Sequence, residues 1–308
     1  MGRSRSMMLL LAVVVSCAGL YYYEAFHDVY RALGSATAYV KGSLEGESPD
    51  TAPDEPPYGA VVAARQNRVD LSWMTTSILM ESWETYPYNV DNPQNSDPRL
   101  RIPKNKGHEA MVYLSFIIDN YDSLPWCTFF IHGHFLSWHQ ETPISRRISS
   151  LNRTALAREG YISLRCDWYP SCPAEIRPHA HDAIAWGPGI KHRETEEAIA
   201  GNWRQLFPGE RLPETLASPC CAQFAVTRKA MRRRPRADYE RMREWLLGSL
   251  LEDEVSGRVF EKLWAYIFVG DAVHCPPPQQ CACEFFGQCE EHEWQEPPEG
   301  LQSIPNWP

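Results

Sequence analysis

Residues 103–139, PKNKGHEAMVYLSFIIDNYDSLPWCTFFIHGHFLSWH, constrain what this chain can fold into more than any other stretch. Lys104, Lys106 and Gly107 lead into a helix expected over 107–118, because Met111, Leu114, Ile117 and Ile118 recur at helical spacing. Turn-forming residues at 120–125 stop it. The run 127–131, CTFFI, is short, apolar and aromatic, which predicts a strand buried on both faces inside an α/β sheet. His132, Gly133 and His134 follow at once, and His139 comes five residues later. Ligands of open α/β sheets bind outside the carboxyl ends of the strands. A site is therefore expected at this strand end.

The neighbouring sequence repeats the alternation. A strand is expected over 59–64, a helix over 69–82 carrying Asp70 in its first turn, and a strand over 86–92 that ends at Asp91. Farther on, the patterning predicts a helix over 144–159, a strand over 161–168, an irregular segment over 170–214 and a buried strand over 220–226. Helices over 237–250 and 256–268 then close the domain. Strand, helix, strand, loop, helix, strand is the order of a parallel α/β sheet. The fold class is α/β.

The ends of the chain read differently. Arg3 and Arg5 precede an uncharged run at 7–23, whose length lies between a signal-peptide core and a membrane span. Segment 1–23 is therefore a signal anchor or a cleaved signal peptide, and both translocate the remainder of the chain. Residues 24–57 end in GESPDTAPDEPP and read as a stem, 58–270 as the folded domain and 271–308 as a Cys- and Pro-rich tail. Ten cysteines, nine of them beyond the first apolar run, point to disulfides in an oxidising compartment and leave at least one thiol unpaired within the chain. Localisation is expected to be single-pass membrane with a lumenal domain, or secreted. The sequon Asn152-Arg153-Thr154 agrees with that exposure.

Charge narrows the partners. A net charge of −9 argues against nucleic acid, while the basic run RKAMRRRPR at 228–236 is either an acidic-ligand contact or a solvated helix end. Tail residues Cys275, Cys281, Cys283 and Cys289, with His274 and His292, lack paired C-x-x-C knuckles, so disulfides are favoured there over zinc.

The runs PKNKGHEAMVYLSFIIDNYDSLP, FIHGHFLSWH, EGYISLRCDWYPSCPAEI, CCAQFAVTR and RPRADYERMREWLLGSLLEDEVSGRVFEKLW resemble a mainly fungal family named domain of unknown function 3431. The likeness covers roughly residues 58–289 and brings no reaction with it. It also looks similar to nucleotide-diphospho-sugar glycosyltransferases, which implies a Rossmann-like three-layer sandwich with a disulfide-rich C-terminal tail. In those enzymes an acidic D-x-D pair at the end of the matching strand holds a divalent metal. Here His132-Gly133-His134 stands in its place. Phe135 and Ala265 depart from the family pattern, where a basic residue and a histidine are frequent.

A sugar transferase must neutralise a diphosphate leaving group with a metal, basic groups or helix N-terminal amides. The expected ligands are thus a sugar nucleotide and a divalent metal, with a carbohydrate acceptor as partner. Lys104, Lys106 and the amides after Gly107 are candidates for the diphosphate, and Asp91, Asp70 and Trp73 for the nucleoside. Each of the last three also reads as a cap or packing residue. His132, His134 and Glu109 are the candidate catalytic groups. His132, His134 and His139 could hold zinc, though imidazole suits magnesium or manganese poorly. A non-catalytic glycan- or partner-binding protein on a degenerate transferase scaffold is the alternative, and a histidine-metal hydrolase a third reading.

Overall fold

Strand β1 (Gly59–Arg65) divides the molecule in two, because successive strand side chains point to opposite faces. Ala60 and Val62 join one buried cluster, Val61 and Ala63 the other. The computed structural model describes residues 52–75, 81–183 and 192–296. Strands β2 (Trp83–Asn89), β3 (Cys127–His132), β4 (Tyr161–Ser163) and β5 (Phe224–Thr227) complete one sheet of order β2-β1-β3-β5-β4. Pairing of β1 with β2 and with β3 is parallel, while β5 runs antiparallel to both neighbours. Pro87 lies within β2, which its place at the sheet edge permits.

Eight α-helices accompany the sheet among the described residues: α1 (Ala110–Asp119), α2 (Ile144–Ser150), α3 (Arg153–Glu159), α4 (His192–Leu206), α5 (Arg228–Met231), α6 (Arg236–Gly248), α7 (Asp253–Val269) and α8 (Pro278–Phe286). Residues of α1, α4, α6 and α7 build the first cluster, in which Phe224 of β5 meets Tyr113, Phe130, Tyr161, Trp264 and Phe268. Helices α2, α3 and α8 cover the other face. Each large side chain buried this way contributes about 1.5–3 kcal/mol relative to exposure.

Several expected elements are reshaped by tertiary contacts. The helix expected over 69–82 is a short 3₁₀ turn at Ser72–Thr75, and residues 76–80 lie outside the described ones. The helix expected over 144–159 splits, because Leu151 is extended and Asn152 caps α3 by accepting from the Thr154 and Ala155 amides at 3.1 Å. The Asn152 amide nitrogen also donates to Glu284 O at 3.1 Å. The strand expected to reach 168 ends at Ser163, since the Cys166 and Asp167 amides turn to the Glu141 carboxylate at 2.9 Å. The strand expected from 220 begins at Phe224: Cys220 is bonded to Cys221, and Cys221 and Ala222 have φ of 83° and 46°, outside the β region. The segment 170–214 holds the 15-residue helix α4.

Disulfides Cys166–Cys281 and Cys172–Cys275 tie the tail to the loop after β4, and Cys283–Cys289 and Cys220–Cys221 are local. The tail cysteines are thereby consumed, which removes the zinc alternative. Buried Cys127 is the free thiol among the described residues. This disulfide content is consistent with an extracellular or lumenal location. Among the described residues no helix is long and apolar enough to cross a membrane; residues 7–23, the expected anchor or signal, lie outside them. The basic run braces the fold: Arg234 pairs with Glu210 at 2.7 Å, Arg236 with Glu240 at 3.0 Å, and Arg233 donates to Val269 O.

Candidate functional site

After β1 the chain leaves to one side, to β2, and then returns to place β3 on the other. The carboxyl ends of β1 and β3 therefore flank a reversal of strand order, where open α/β sheets bind ligands. A cleft of about 770 Å³ opens there, between Arg68, Asp70 and Trp73 on one wall and His134, Phe135 and Leu136 on the other. Both walls are held by named contacts. Asp91 accepts from the Asn67 amide at 2.8 Å, and the Asn89 amide donates to Asn67 Oδ1 at 2.8 Å, so the end of β2 fixes the loop after β1. Asp70 accepts from Ser72 N at 2.8 Å and Ser72 Oγ at 2.7 Å, which caps the 3₁₀ turn and holds the carboxyl below its ordinary range. The buried Trp73 indole donates to Gly133 O at 3.1 Å and joins the two walls. Gly133 lets the end of β3 lie close to the end of β1 and the loop after it, since a Cβ there would stand 2.8 Å from Arg65 Cβ and 3.2 Å from the Val69 and Leu71 side chains.

One residue earlier, the chemistry changes. His132 Nε2 lies 3.7 Å from Glu109 Oε2, in a partly buried polar pocket next to the start of α1 and within the field of Glu261 on α7. Burial, with help from the Glu261 charge, pushes the Glu109 carboxyl up to about 8. Burial and His139 push the His132 imidazole down to about 3. At neutral pH both are uncharged, so their approach is not an ion pair, and His132 Nε2 is buried without a hydrogen-bond partner. His139 stands edge to face with His132, 5.2 Å between centroids, and burial next to Arg165 lowers it to about 4. Ser137 Oγ lies 2.9 Å from His139 Nε2.

Glu261 of α7 supplies the pocket's fixed negative charge. Against the burial that opposes ionisation, Lys262 and the Cys221 amide hold its carboxyl down at about 2. The Lys262 ammonium is 2.7 Å from both Glu261 and Glu175 and donates to Ser171 Oγ at 3.2 Å. Glu261, Lys262, Arg68 and Arg165 were not singled out by the sequence reading. A Glu-Lys pair inside the apolar run VFEKLWAYIFV was a signal for buried charge; Arg68 carried none.

The sequence-predicted residues thus separate. Asp70, Trp73 and His134 line the cleft. His132, Glu109 and His139 gather in the buried pocket. Lys106 binds Leu251 O at 2.5 Å and Asp253 at 2.9 Å, and the Gly107 amide donates to Asp253 at 3.2 Å, so this basic turn braces the start of α7. Lys104 is exposed and Asp91 is tied to Asn67. His132 and His134 do not share a side, because β3 ends at His132 and Gly133 begins a turn.

The transferase likeness implies a divalent metal, and these residues do not fit one. Among the described residues no three His, Cys, Asp or Glu side chains are gathered as a metal ion would need. The expected trio therefore reduces to the His132–His139 pair, with His134 on the cleft wall. Asp70 is the one carboxylate on the two cleft walls, and Ser72 engages both its oxygens.

No curated protein and no solved structure matches the chain. The family model described as Protein of unknown function (DUF3431) matches residues 61–284, a span that holds both the cleft and the buried pocket, and the chain belongs to this family.

Proposed function

We propose that this chain is a glycosyltransferase-like protein of a lumenal or extracellular compartment, with a Rossmann-like fold, that binds a sugar nucleotide in the cleft between the ends of β1 and β3. The observation that carries the reading is the place and make-up of that cleft: it lies at the reversal of strand order, and its volume is that of a small-ligand site. Phe135 is 46% exposed and offers an apolar face to a base or sugar ring, while the largely buried Trp73, its ring centroid 6.3 Å away, backs the wall. Arg68 supplies positive charge for a diphosphate. In this reading His134 accepts the proton of an attacking acceptor hydroxyl, and the uncharged Glu109–His132 pair positions the loop that bears it.

The second reading is a non-catalytic glycan- or partner-binding protein. Trp138 favours it, being 76% exposed shortly after the exposed cleft residues Phe135 and Leu136. Calorimetric titration of the full chain with a panel of sugar nucleotides, followed by donor-hydrolysis and transfer assays, decides between them. Saturable donor binding weakened by Trp73→Ala supports both the cleft and its ligand class. Binding without turnover supports the second reading, and a panel with no binding ends the first.

A further inference from the structure

We infer that the cleft recognises a nucleoside-diphosphate group without a divalent cation, the Arg68 guanidinium supplying the counter-charge. This rests on the sugar-nucleotide reading and departs from the metal-held diphosphate that the transferase likeness implies. Magnesium or manganese at a diphosphate is held by the phosphates, waters and one or two protein carboxylates, so the metal-held form needs at least one carboxylate free to face the phosphates. On the cleft walls Asp70 is the carboxylate, and both its oxygens accept from Ser72. Asp91, the nearest acid by sequence to the end of β2, accepts from the Asn67 amide. Glu109 turns to His132 inside the fold and keeps its proton at neutral pH. The position that carries acids in the transferases the sequence resembles carries His132 and His134, and of these two His134 lines the cleft.

A diphosphate still needs positive charge, and a planar guanidinium meets phosphate oxygens with two parallel hydrogen bonds. Arg68 and exposed Phe135 both line the cleft, so one ligand can present its ring to the phenyl group and its phosphates to the guanidinium.

The test is calorimetric titration of the full chain with uridine, guanosine, adenosine and cytidine diphosphates, in excess EDTA and in saturating Mn²⁺, for wild type and Arg68→Ala. At least one diphosphate is expected to bind in EDTA with an affinity within about twofold of that in Mn²⁺. Arg68→Ala should weaken it roughly ten- to a hundredfold, the range of a charge-assisted hydrogen bond, while its denaturation midpoint stays at the wild-type value. Binding that needs Mn²⁺ overturns the inference and leaves the sugar-nucleotide reading standing. Wild-type affinity in Arg68→Ala overturns the role of Arg68. No binding in either condition overturns the inference together with the reading it rests on.

Discussion

The cleft and the buried pocket lie on either side of Gly133, and they divide between them what a binding site needs. The cleft has room, two aromatic walls and an arginine, and its polar groups are tied to local turns. The pocket has groups whose proton affinities are far from ordinary, a histidine nitrogen without a partner and a fixed ion cluster. Low dielectric explains both halves of the contrast. Packing that shifts Glu109 and His132 leaves both side chains only partly accessible, so little of either is open to a ligand. The proposed site therefore rests on concavity at the strand ends and not on perturbed titration.

Substitutions can break or sharpen this contrast. The largest effect is expected in the pocket: Lys262→Met leaves Glu175 and Glu261 without their buried ammonium and should cost about 3–5 kcal/mol in chemical denaturation. A loss below ~1 kcal/mol would mean that the cluster is solvated. Removing the Cys166–Cys281 bridge by a double alanine replacement should cost about 2–5 kcal/mol, because it closes a long loop, and denaturation under oxidising conditions measures it.

Glu109 sets a pH dependence. Between its ordinary value of 4.5 and about 8 the unfolded chain has released this proton while the folded protein retains it, so stability falls as pH rises. His132 and His139 act in the opposite direction up to their ordinary 6.5, because there the unfolded chain holds protons that the folded one does not. The Glu109 loss thus emerges between pH 6.5 and about 8, with a limiting slope of ~1.4 kcal/mol per pH unit. Glu109→Gln should flatten denaturation midpoints across that window, and an unchanged slope would remove Glu109 as its source.

Asn152→Ala should cost about 1 kcal/mol through loss of the α3 cap, read from the thermal midpoint. The smallest stability change is expected at exposed Trp138→Ala, within about 0.5 kcal/mol. A larger loss at Trp138 than at Asn152 would show that the Trp138 ring is packed into the fold after all.

The unbroken apolar runs of β1 and β3 made the central strands legible, since a strand buried on both faces needs apolar side chains everywhere. Helix α1 was legible from the helical spacing of Met111, Leu114, Ile117 and Ile118, and every residue from Ala110 to Ile118 is buried. Helix α4 escaped because its acidic first half masks the spacing of Ile199, Trp203 and Leu206, which only packing on α6 and α7 makes decisive. The basic turn at Lys106 escaped in another way. Its charge suggested a phosphate, but Asp253 lies 146 residues from Gly107 in sequence and beside it in space.

By itself, then, the sequence determined the α/β class, the disulfide chemistry and the strand end at which polar residues collect, because these come from local pattern and composition. Tertiary structure alone decided that His132 turns inward to Glu109 while His134 faces the cleft, and that Arg68 joins Trp73 on one wall. Which way a side chain faces after a strand ends depends on the contacts that receive it, and those contacts come from residues far away in the chain.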